Sequence, residues 1–356
     1  MAQKLTLLLL IPHLGGGGAE QVTALLARGL SREKYELHLG LITQDPPATE
    51  ALPQWVAVHR LEAPRVRACA PSLLRLVRRL KPDLILSGMA HLNFLVLLLR
   101  PLYPRKTRVL VRQNTTVSSA LAYGGLPWYT RPLYRFLYPR ADRVICQSRA
   151  MAEDLAKELG IKKEKIAVLP NPLDLDGIRA ASRVHGLNPF EPPGQWTGPG
   201  PHLLAIGRLA PEKGFDLLLE ALALVRDRFP QADLIIAGSG PEESALRAQC
   251  GSLGLEAAVR LPGRMERPYL LYPQASLFVL SSRYEGMPNA LLEALAGDLP
   301  IVSTPASGGV VDLLRRRPGT WLASETSSAA LAAALLKALE ELNPGQRFRR
   351  SLLSVS

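Results

Sequence analysis

The sequence predicts an α/β protein with two domains, each a doubly wound parallel sheet. Short apolar runs alternate with helical patterns in both halves of the chain, which is typical of parallel sheets covered by helices on both faces. Between the halves, residues 174–202 are rich in Pro, Gly and polar residues, a composition typical of linkers. The 356 residues are enough for two domains of ordinary size, each with its own core.

The first domain is predicted to cover residues 1–173. An apolar strand leads into a run of glycines and then into a helix whose apolar positions recur on one face. The apolar patterns predict strands at residues 5–11, 35–42, 83–87, 108–113, 143–147 and 166–169, and helices at residues 19–30, 73–80 and 150–159.

The second domain is predicted to cover residues 203–341, and residues 342–356 are expected to form a short tail. Its patterns predict strands at residues 203–206, 233–237, 259–261, 275–280 and 301–303, and helices at residues 215–228, 242–250 and 329–341. A further helix is predicted to begin at Pro288, whose fixed φ suits a first turn, and to end before Gly297.

The basic charge is confined to the first half of the chain. Residues 1–199 contain 27 Lys and Arg against 15 Asp and Glu, a net +12, whereas residues 200–356 contain 16 of each. A one-sided basic field favours an anionic partner such as a membrane surface. No apolar run reaches the ~18 residues needed to span a bilayer, so any membrane association would be peripheral. Three widely spaced cysteines favour a reducing compartment.

Glycine-rich loops follow several of the predicted strands. Gly15 to Gly18 precede the first helix, where free N–H groups and the positive end of the helix dipole favour an anion. GRLAPEKG, residues 207–214, occupies the same place in the second domain. Its Arg208 and Lys213 are spaced to converge on one pyrophosphate. Two shorter loops, at Gly238 and at SGG from Ser307, also suit phosphate.

Two glutamates, Glu285 and Glu293, lie eight residues apart in the stretch SRYEGMPNALLEALA. Glu285 is expected in the loop at the carboxyl end of a strand, and Glu293 is expected about one turn into the following helix. Ligands bind at this edge of open α/β sheets. Taken alone, the pair fits either a binding site or two solvated surface glutamates, and the motifs around it favour the binding site.

In this order, the glycine loops, Arg208 with Lys213, and the paired glutamates resemble the retaining nucleotide-sugar glycosyltransferases of family 4. The resemblance implies the GT-B fold, in which two Rossmann-like domains face each other across a cleft. It also implies that the first domain holds the acceptor and that the second holds a nucleotide-sugar donor, expected to be a UDP-sugar.

The resemblance also implies a role for each matching residue. Glu293 would bind the ribose hydroxyls, Glu285 would lie beside the donor sugar, and Arg208 and Lys213 would neutralise the departing diphosphate. Glu285, Arg208 and Lys213 are thus the predicted catalytic residues. The rest of the predicted donor site consists of Gly16, Gly17, Gly18, Gly207, Gly238, Arg264, Gly286, Met287, Pro288, Asn289 and Leu292.

No metal or other cofactor is expected, because Arg208 and Lys213 supply the positive charge that a divalent ion would contribute. The D-x-D at Asp174 to Asp176 is interpreted as incidental. On the acceptor side the sequence departs from the family, since Gln113 stands where many relatives have a histidine. Asn114, His91 and His13 are the alternative acceptor-side residues.

The first domain also carries segments that mix Leu, Phe and Tyr with Arg, residues 73–82 and 132–143. Such surfaces suit an anionic leaflet. We therefore expect a cytoplasmic enzyme, peripheral on the inner face of the membrane, that acts on a lipid-linked glycan, lipopolysaccharide or polysaccharide precursor. The chain ends soon after the last predicted helix, so less support for cleft closure is expected.

Two other functions remain open from the sequence. One is a UDP-sugar epimerase on the same two-domain fold, and the other is a nucleotide-sugar or glycan-binding protein with impaired catalysis. A nucleic-acid-binding function is disfavoured because the basic half has no matching recognition motif. The motifs do not specify the sugar, the base, the acceptor or the oligomeric state.

Overall fold

The computed structural model describes residues 4–15, 17–43, 52–122, 130–183, 196 and 199–342. The chain divides into two compact units, Met1–Pro172 and Leu173–Ser356. Gly16, part of the expected linker and nearly all of the expected tail lie outside the described residues.

The described part of the first unit contains a parallel sheet of seven strands in the order β3-β2-β1-β4-β5-β6-β7. The strands are β1 (Leu5–Ile11), β2 (Tyr35–Leu41), β3 (Ala57–Arg60), β4 (Leu84–Ser87), β5 (Arg108–Arg112), β6 (Arg143–Cys146) and β7 (Ile166–Val168). The helices are α1 (Gly18–Gly29), α2 (Ala70–Leu80), α3 (Ala90–Leu99), α4 (Val117–Ala122), α5 (Thr130–Leu137) and α6 (Arg149–Leu159).

Strand β1 is apolar at every position from Leu7 to Ile11 because both faces of the sheet are covered. Leu8 and Leu10 belong to one core, and Leu7, Leu9 and Ile11 belong to the core on the opposite face. This strand pairs with β2 on one side and with β4 on the other, and the strand order reverses between β1 and β4. Loops that follow β1 and β4 therefore meet at the point where open α/β sheets bind ligands.

The second unit repeats this arrangement with six parallel strands in the order β10-β9-β8-β11-β12-β13. The strands are β8 (His202–Ile206), β9 (Asp233–Ala237), β10 (Val259–Arg260), β11 (Leu277–Leu280), β12 (Ile301–Ser303) and β13 (Thr320–Leu322). The helices are α7 (Leu175–Arg183), α8 (Phe215–Arg226), α9 (Glu243–Ser252), α10 (Asn289–Ala296), α11 (Gly308–Leu314) and α12 (Ser328–Glu341). Here the strand order reverses between β8 and β11.

Helix α7 lies within the segment that the sequence predicts to be a linker. Ile178 is buried in the core of the second unit, and Asp174 accepts a hydrogen bond from the Gly177 N–H at 3.0 Å. This contact satisfies one of the N–H groups that the start of a helix leaves unpaired. Part of the expected linker is thus a helix of the second unit, and Asp174 has a structural role there.

The predicted elements agree with the observed ones to within a few residues at their ends, and several short elements were not predicted. Strand β3 is mostly exposed and polar, and β13 has only three residues. Helix α3 is apolar on most sides, so its sequence shows no helical periodicity. Each of these elements lacks the alternation on which the prediction rests.

A histidine pair joins β2 to the edge strand β3. The Nδ1 atom of the buried His38 lies 2.9 Å from Nε2 of His59, Arg79 lies 3.5 Å from the other ring nitrogen of His59, and Glu36 lies 3.5 Å from His38. The pKa of His59 is lowered from its ordinary value of 6.5, first by burial and then by the charges of His38 and Arg79.

We predict that the first unit loses stability as the pH falls below about 6.5, because unfolded His59 then binds a proton that folded His59 resists. The urea midpoint at about pH 5.5 should fall below that at about pH 7.5, and by less in His59→Gln, which cannot titrate there. An equal pH dependence in both proteins would contradict the role of His59.

Candidate active site

Three loops converge at the carboxyl edge of the second sheet. Residues 207–214 follow β8, residues 281–288 follow β11, and residues 238–242 follow β9. Since β8 and β11 flank the reversal of strand order, the first two loops lie where open α/β sheets bind ligands. The structure thus brings Arg208, Lys213 and Glu285 to one edge of one sheet.

These loops approach one another so closely that only glycine fits at several positions. A Cβ atom at Gly238 would lie 1.8 Å from the Gly207 carbonyl oxygen, and one at Gly240 would lie 2.2 Å from that of Leu209. Gly214 has a φ of +60°, and its Cβ would lie 2.2 Å from the Ser281 carbonyl oxygen. The glycines allow backbone to pack directly on backbone.

Lys213 and Glu285 form an ion pair at the centre of this edge. The Lys213 ammonium donates to Glu285 Oε1 at 2.5 Å, and the buried Ser282 hydroxyl donates to the same oxygen at 2.7 Å. Glu285 is only 8% exposed, and its backbone N–H donates to the Ala306 carbonyl. These contacts hold the carboxylate in one position, 72 residues along the chain from its lysine.

Arg208 lies on the same loop but is far more exposed. Its guanidinium donates to Glu212 at 2.6 Å. Burial favours a raised pKa for the Glu212 carboxyl, but the hydrogen bond and charge of Arg208 hold that pKa below its ordinary value. Both predicted phosphate-binding cations therefore have a carboxylate partner within the protein.

Glu293 lies on α10 and is 5% exposed. Its carboxylate is close to the buried hydroxyl of Tyr272, whose pKa is raised well above 10, first by burial and then by the charge of Glu293. The Tyr272 ring also packs on Gly297, where a Cβ would lie 2.6 Å from the ring. Glu293 is thus held against the end of its own helix.

The start of α10 is joined to the loop before α11. Pro288 is the residue before α10, and Gly286 accepts a hydrogen bond from the Ser307 hydroxyl at 3.2 Å. The same hydroxyl accepts from the Val310 N–H and caps α11. A hydrogen bond therefore joins the predicted sugar-side residues, Gly286 to Asn289, to the SGG loop.

The remaining predicted donor-site residues lie on neighbouring parts of the second unit. The Gly238 N–H donates to the Gly263 carbonyl at 2.9 Å, which joins the loop after β9 to the loop that carries the exposed Arg264. Leu292, on α10, is partly exposed.

The carboxyl edge of the first sheet carries the glycine loop and two histidines. Gly15 donates to Nδ1 of His13, which lies 3.7 Å from the buried carboxylate of Glu20 on α1. Burial, and then the charge of His13, lower the pKa of His91 at the start of α3. Gly17 and Gly18 are exposed at the start of α1.

Gln113 is held inside the first unit. It is 3% exposed, its amide oxygen accepts from the Tyr138 hydroxyl at 2.8 Å, and its amide nitrogen donates to the Thr115 carbonyl at 2.9 Å. The neighbouring Asn114 is less buried and donates to the Gly88 carbonyl. The fixed contacts of Gln113 stabilise the end of β5.

The structure also places residues at the site that the sequence analysis did not single out. Ser282 and Glu212 contact Glu285 and Arg208 directly. Arg283, in the loop after β11, pairs with Asp216 in the first turn of α8. The only signal for Arg283 in the sequence is its position two residues before Glu285.

Within the ranges that the structure describes, no three His, Cys, Asp or Glu side chains are grouped closely enough to hold a metal ion. In the same ranges, no helix is both long and apolar enough to cross a bilayer.

We predict that Gly238→Ala destabilises the second unit by about 1–3 kcal/mol, because the added methyl group overlaps the Gly207 carbonyl and forces the loops apart. Urea unfolding measures the effect. Gly29→Ala is the matched control, since a Cβ there meets no atom within 4 Å and the residue is helical. Equal midpoints for the two variants would contradict the close packing of the loops.

Both halves of the chain match known protein families. Residues 16–176 match the family described as Glycosyltransferase Family 4, and residues 192–351 match Glycosyl transferases group 1. The chain is 28% identical over 317 residues to N-acetylgalactosamine-N,N'-diacetylbacillosaminyl-diphospho-undecaprenol 4-alpha-N-acetylgalactosaminyltransferase of Campylobacter jejuni, covering 85% of this chain and 81% of that protein. It is 31% identical over 173 residues to the lipopolysaccharide core biosynthesis glycosyltransferase LpsE of Rhizobium meliloti, covering 48% of this chain and 46% of LpsE.

Among solved structures, Anabaena Alr3699/HepE in complex with UDP and glucose shares the fold. The TM-score is 0.75 at 20% identity, with 95% of this chain and 90% of HepE covered. The fold, the order of the motifs and the two family matches agree with one another. The chain therefore belongs to the GT-B glycosyltransferases.

Proposed function

We propose that the protein is a retaining, metal-independent hexosyltransferase that moves a sugar from a UDP-sugar to a lipid-linked glycan, lipopolysaccharide or polysaccharide precursor. The observation that carries this proposal is the ion pair of Lys213 with Glu285, 2.5 Å apart at the convergence of three glycine loops. A cation there can bind diphosphate, and a carboxylate beside it can accept hydrogen bonds from sugar hydroxyls. The UDP complex of HepE, which shares the fold, supports UDP as the nucleotide.

In this proposal, each part of the donor lies against residues of matching chemistry. The diphosphate lies between Arg208 and Lys213. The sugar lies beside Glu285 and the backbone of residues 286–289. The ribose hydroxyls donate to Glu293, and the base lies next to Arg264. Gly207, Gly238 and Leu292 complete the site.

Transfer breaks the bond between the anomeric carbon and the diphosphate oxygen, and it forms a bond from an acceptor hydroxyl oxygen to the same carbon. The electron pair of the broken bond remains on the diphosphate, where Arg208 and Lys213 stabilise the charge. The acceptor proton passes to a phosphate oxygen of the leaving group, so no side-chain base is needed. Because the acceptor attacks the face that the diphosphate leaves, the anomeric configuration is retained. NMR of the product tests this, and an inverted anomeric configuration would contradict it.

The acceptor is assigned to the carboxyl edge of the first sheet, near His91, His13 and Asn114. Gln113 is excluded from direct contact in this proposal because its amide is occupied by Tyr138 and Thr115. The names of the C. jejuni and R. meliloti relatives, one acting on a diphospho-undecaprenol substrate and one in lipopolysaccharide core biosynthesis, support an envelope glycan acceptor.

The first unit has a surface suited to the inner face of an anionic membrane, and we propose that it docks there from the cytoplasm. On α5, Phe136 is 65% exposed and Leu133 is 38% exposed. The Arg140 guanidinium lies 4.4 Å from the centre of the Phe136 ring. The net +12 of residues 1–199 complements anionic lipid headgroups. Arginines next to exposed apolar side chains are typical of interfacial binding.

For the donor site, we predict that UDP or a UDP-sugar raises the thermal midpoint of the wild type and that Glu293→Gln weakens this binding by about tenfold to a hundredfold. The physical reason is the loss of a charged acceptor for the ribose hydroxyls, worth about 1.5–3 kcal/mol. Isothermal titration with UDP measures the change. The matched control is Glu220→Gln, which removes an exposed carboxylate from α8.

Equal UDP affinity in Glu293→Gln and the wild type would refute the donor-site assignment. The same titration in EDTA tests metal independence, because chelation should leave the affinity unchanged. UDP-sugar turnover separates the alternatives. Hydrolysis or transfer supports the transferase, conversion to an epimeric UDP-sugar identifies an epimerase, and binding without turnover identifies an impaired binding protein.

For the membrane surface, we predict that the wild type co-sediments with vesicles of anionic phospholipid but not with zwitterionic ones. The double variant Leu133→Ala, Phe136→Ala should bind anionic vesicles about tenfold more weakly, since it loses about 1.4 kcal/mol or more of apolar burial. Leu224→Ala, which truncates an exposed leucine of α8, is the control. Binding that does not depend on anionic lipid would refute the proposal.

A further inference from the structure

Alternate residues of the loop after β11 contact one short turn of the loop after β8. The Ser281 hydroxyl donates to the Lys213 carbonyl at 2.8 Å, and Glu285 accepts from the Lys213 ammonium. Between them, Arg283 contacts the same turn, Pro211–Lys213, and the start of α8. All three residues belong to the loop between β11 and α10, so their contacts join that loop to the turn.

Arg283 makes more of these contacts than either neighbour. Its guanidinium forms a bidentate pair with Asp216, at 2.7 and 2.6 Å, and also donates to the Pro211 carbonyl at 2.7 Å. Its backbone N–H donates to the Glu212 carbonyl at 2.8 Å. Burial favours a raised pKa for the Asp216 carboxyl, but the hydrogen bond and charge of Arg283 hold that pKa below its ordinary value.

These contacts surround Lys213. Arg283 contacts residues 211 and 212, which precede Lys213 in the chain, and Asp216, which follows Lys213. The loop that carries Arg283 also carries Glu285. Bidentate arginine–carboxylate pairs add geometric specificity as well as binding energy. A planar fork with a third acceptor therefore fixes both the separation and the orientation of the two loops.

We propose that Arg283, held by Asp216, is a positioning residue that sets the distance between Lys213 and Glu285, and hence between the diphosphate and the sugar of a bound donor. The guanidinium of Arg283 donates to Asp216 and to the Pro211 carbonyl, so Arg283 acts on the pair through the loops. The assignment to donor parts rests on the proposed function, whereas the effect on the Lys213–Glu285 pair does not.

The first test needs no substrate. The folded protein is acylated by a limiting amount of an amine-reactive reagent, and the modification of Lys213 is measured by mass spectrometry. The rate reports how well Glu285 shields the ammonium of Lys213, whose side chain is 21% exposed in the pair. Arg283→Ala and Asp216→Asn should each raise the Lys213 rate several-fold, towards that of Glu285→Gln. The control Arg228→Ala, which removes an exposed pair with Glu340, should leave it unchanged.

The second test separates positioning from general stability. With a UDP-sugar that the wild type hydrolyses or transfers, Arg283→Ala should lower kcat by about tenfold to a hundredfold, because a misplacement of about 1 Å at a reacting group has an effect of this size. Affinity for UDP, which lacks the sugar, should change far less. Arg283→Lys should recover only part of kcat, since an ammonium cannot form the bidentate pair.

An unchanged Lys213 acylation rate in both Arg283→Ala and Asp216→Asn would overturn the proposal. Equal losses of UDP affinity and kcat would also overturn it, because they would indicate general disruption of the site. If the wild type acts on no UDP-sugar, the proposed function fails, and the acylation rates still decide whether Arg283 positions the ion pair.

Discussion

Direct contact between backbones at the carboxyl edge of the second sheet determines where the charged groups of the proposed donor site lie. Gly207, Gly238 and Gly240 let two loops touch at distances that exclude any side chain, and Gly214 does the same against Ser281. These contacts therefore fix the backbone on both sides of the turn that carries Lys213. Its ammonium meets Glu285 because the packing of the loops brings the two backbones close together. Such preorganisation is what electrostatic stabilisation of a leaving group requires.

Lys213 and Arg208, the two cations at this edge, each have a carboxylate partner within the protein. Lys213 is paired with Glu285, and Arg208 is paired with Glu212. The two pairs differ in exposure, since the Lys213 side chain is 21% exposed and that of Arg208 is 67% exposed. An exposed pair contributes little energy and can exchange its carboxylate for a phosphate at low cost. We therefore expect the more buried Lys213 to keep its position and the exposed Arg208 to change partner more readily.

The edge of the first sheet is built differently. Instead of paired cations it holds the glycine loop, with His13 next to Glu20, and His91 nearby. Gln113 belongs to a buried network with Tyr138 and Asn93 beneath that edge. The two sheets follow the same strand order around their point of reversal, but the cations at their edges have different partners: Arg112 at the end of β5 donates to Asn171, whereas Lys213 and Arg208 pair with carboxylates. The same topology thus supports two kinds of binding surface, because the loops, not the sheets, carry the chemistry.

The sequence by itself determined the two-sheet architecture and singled out the glycine-rich and charged loop residues that the structure brings to one edge of the second sheet. Buried parallel strands must be apolar and turns that approach a ligand need glycine, so β1, β9, β12 and the glycine loops are visible as local patterns. Edge strand β3 was missed because it is short and mostly exposed, and helix α7 was missed because its short apolar face, with Ile178 and Ala181 buried, adjoins a Pro- and Gly-rich stretch. Only the tertiary structure decided the partners: Arg283 with Asp216, 67 residues away, Glu285 with Lys213, and Gln113 with Tyr138. Periodicity records which residues are buried, whereas pairing between distant residues depends on how the loops pack.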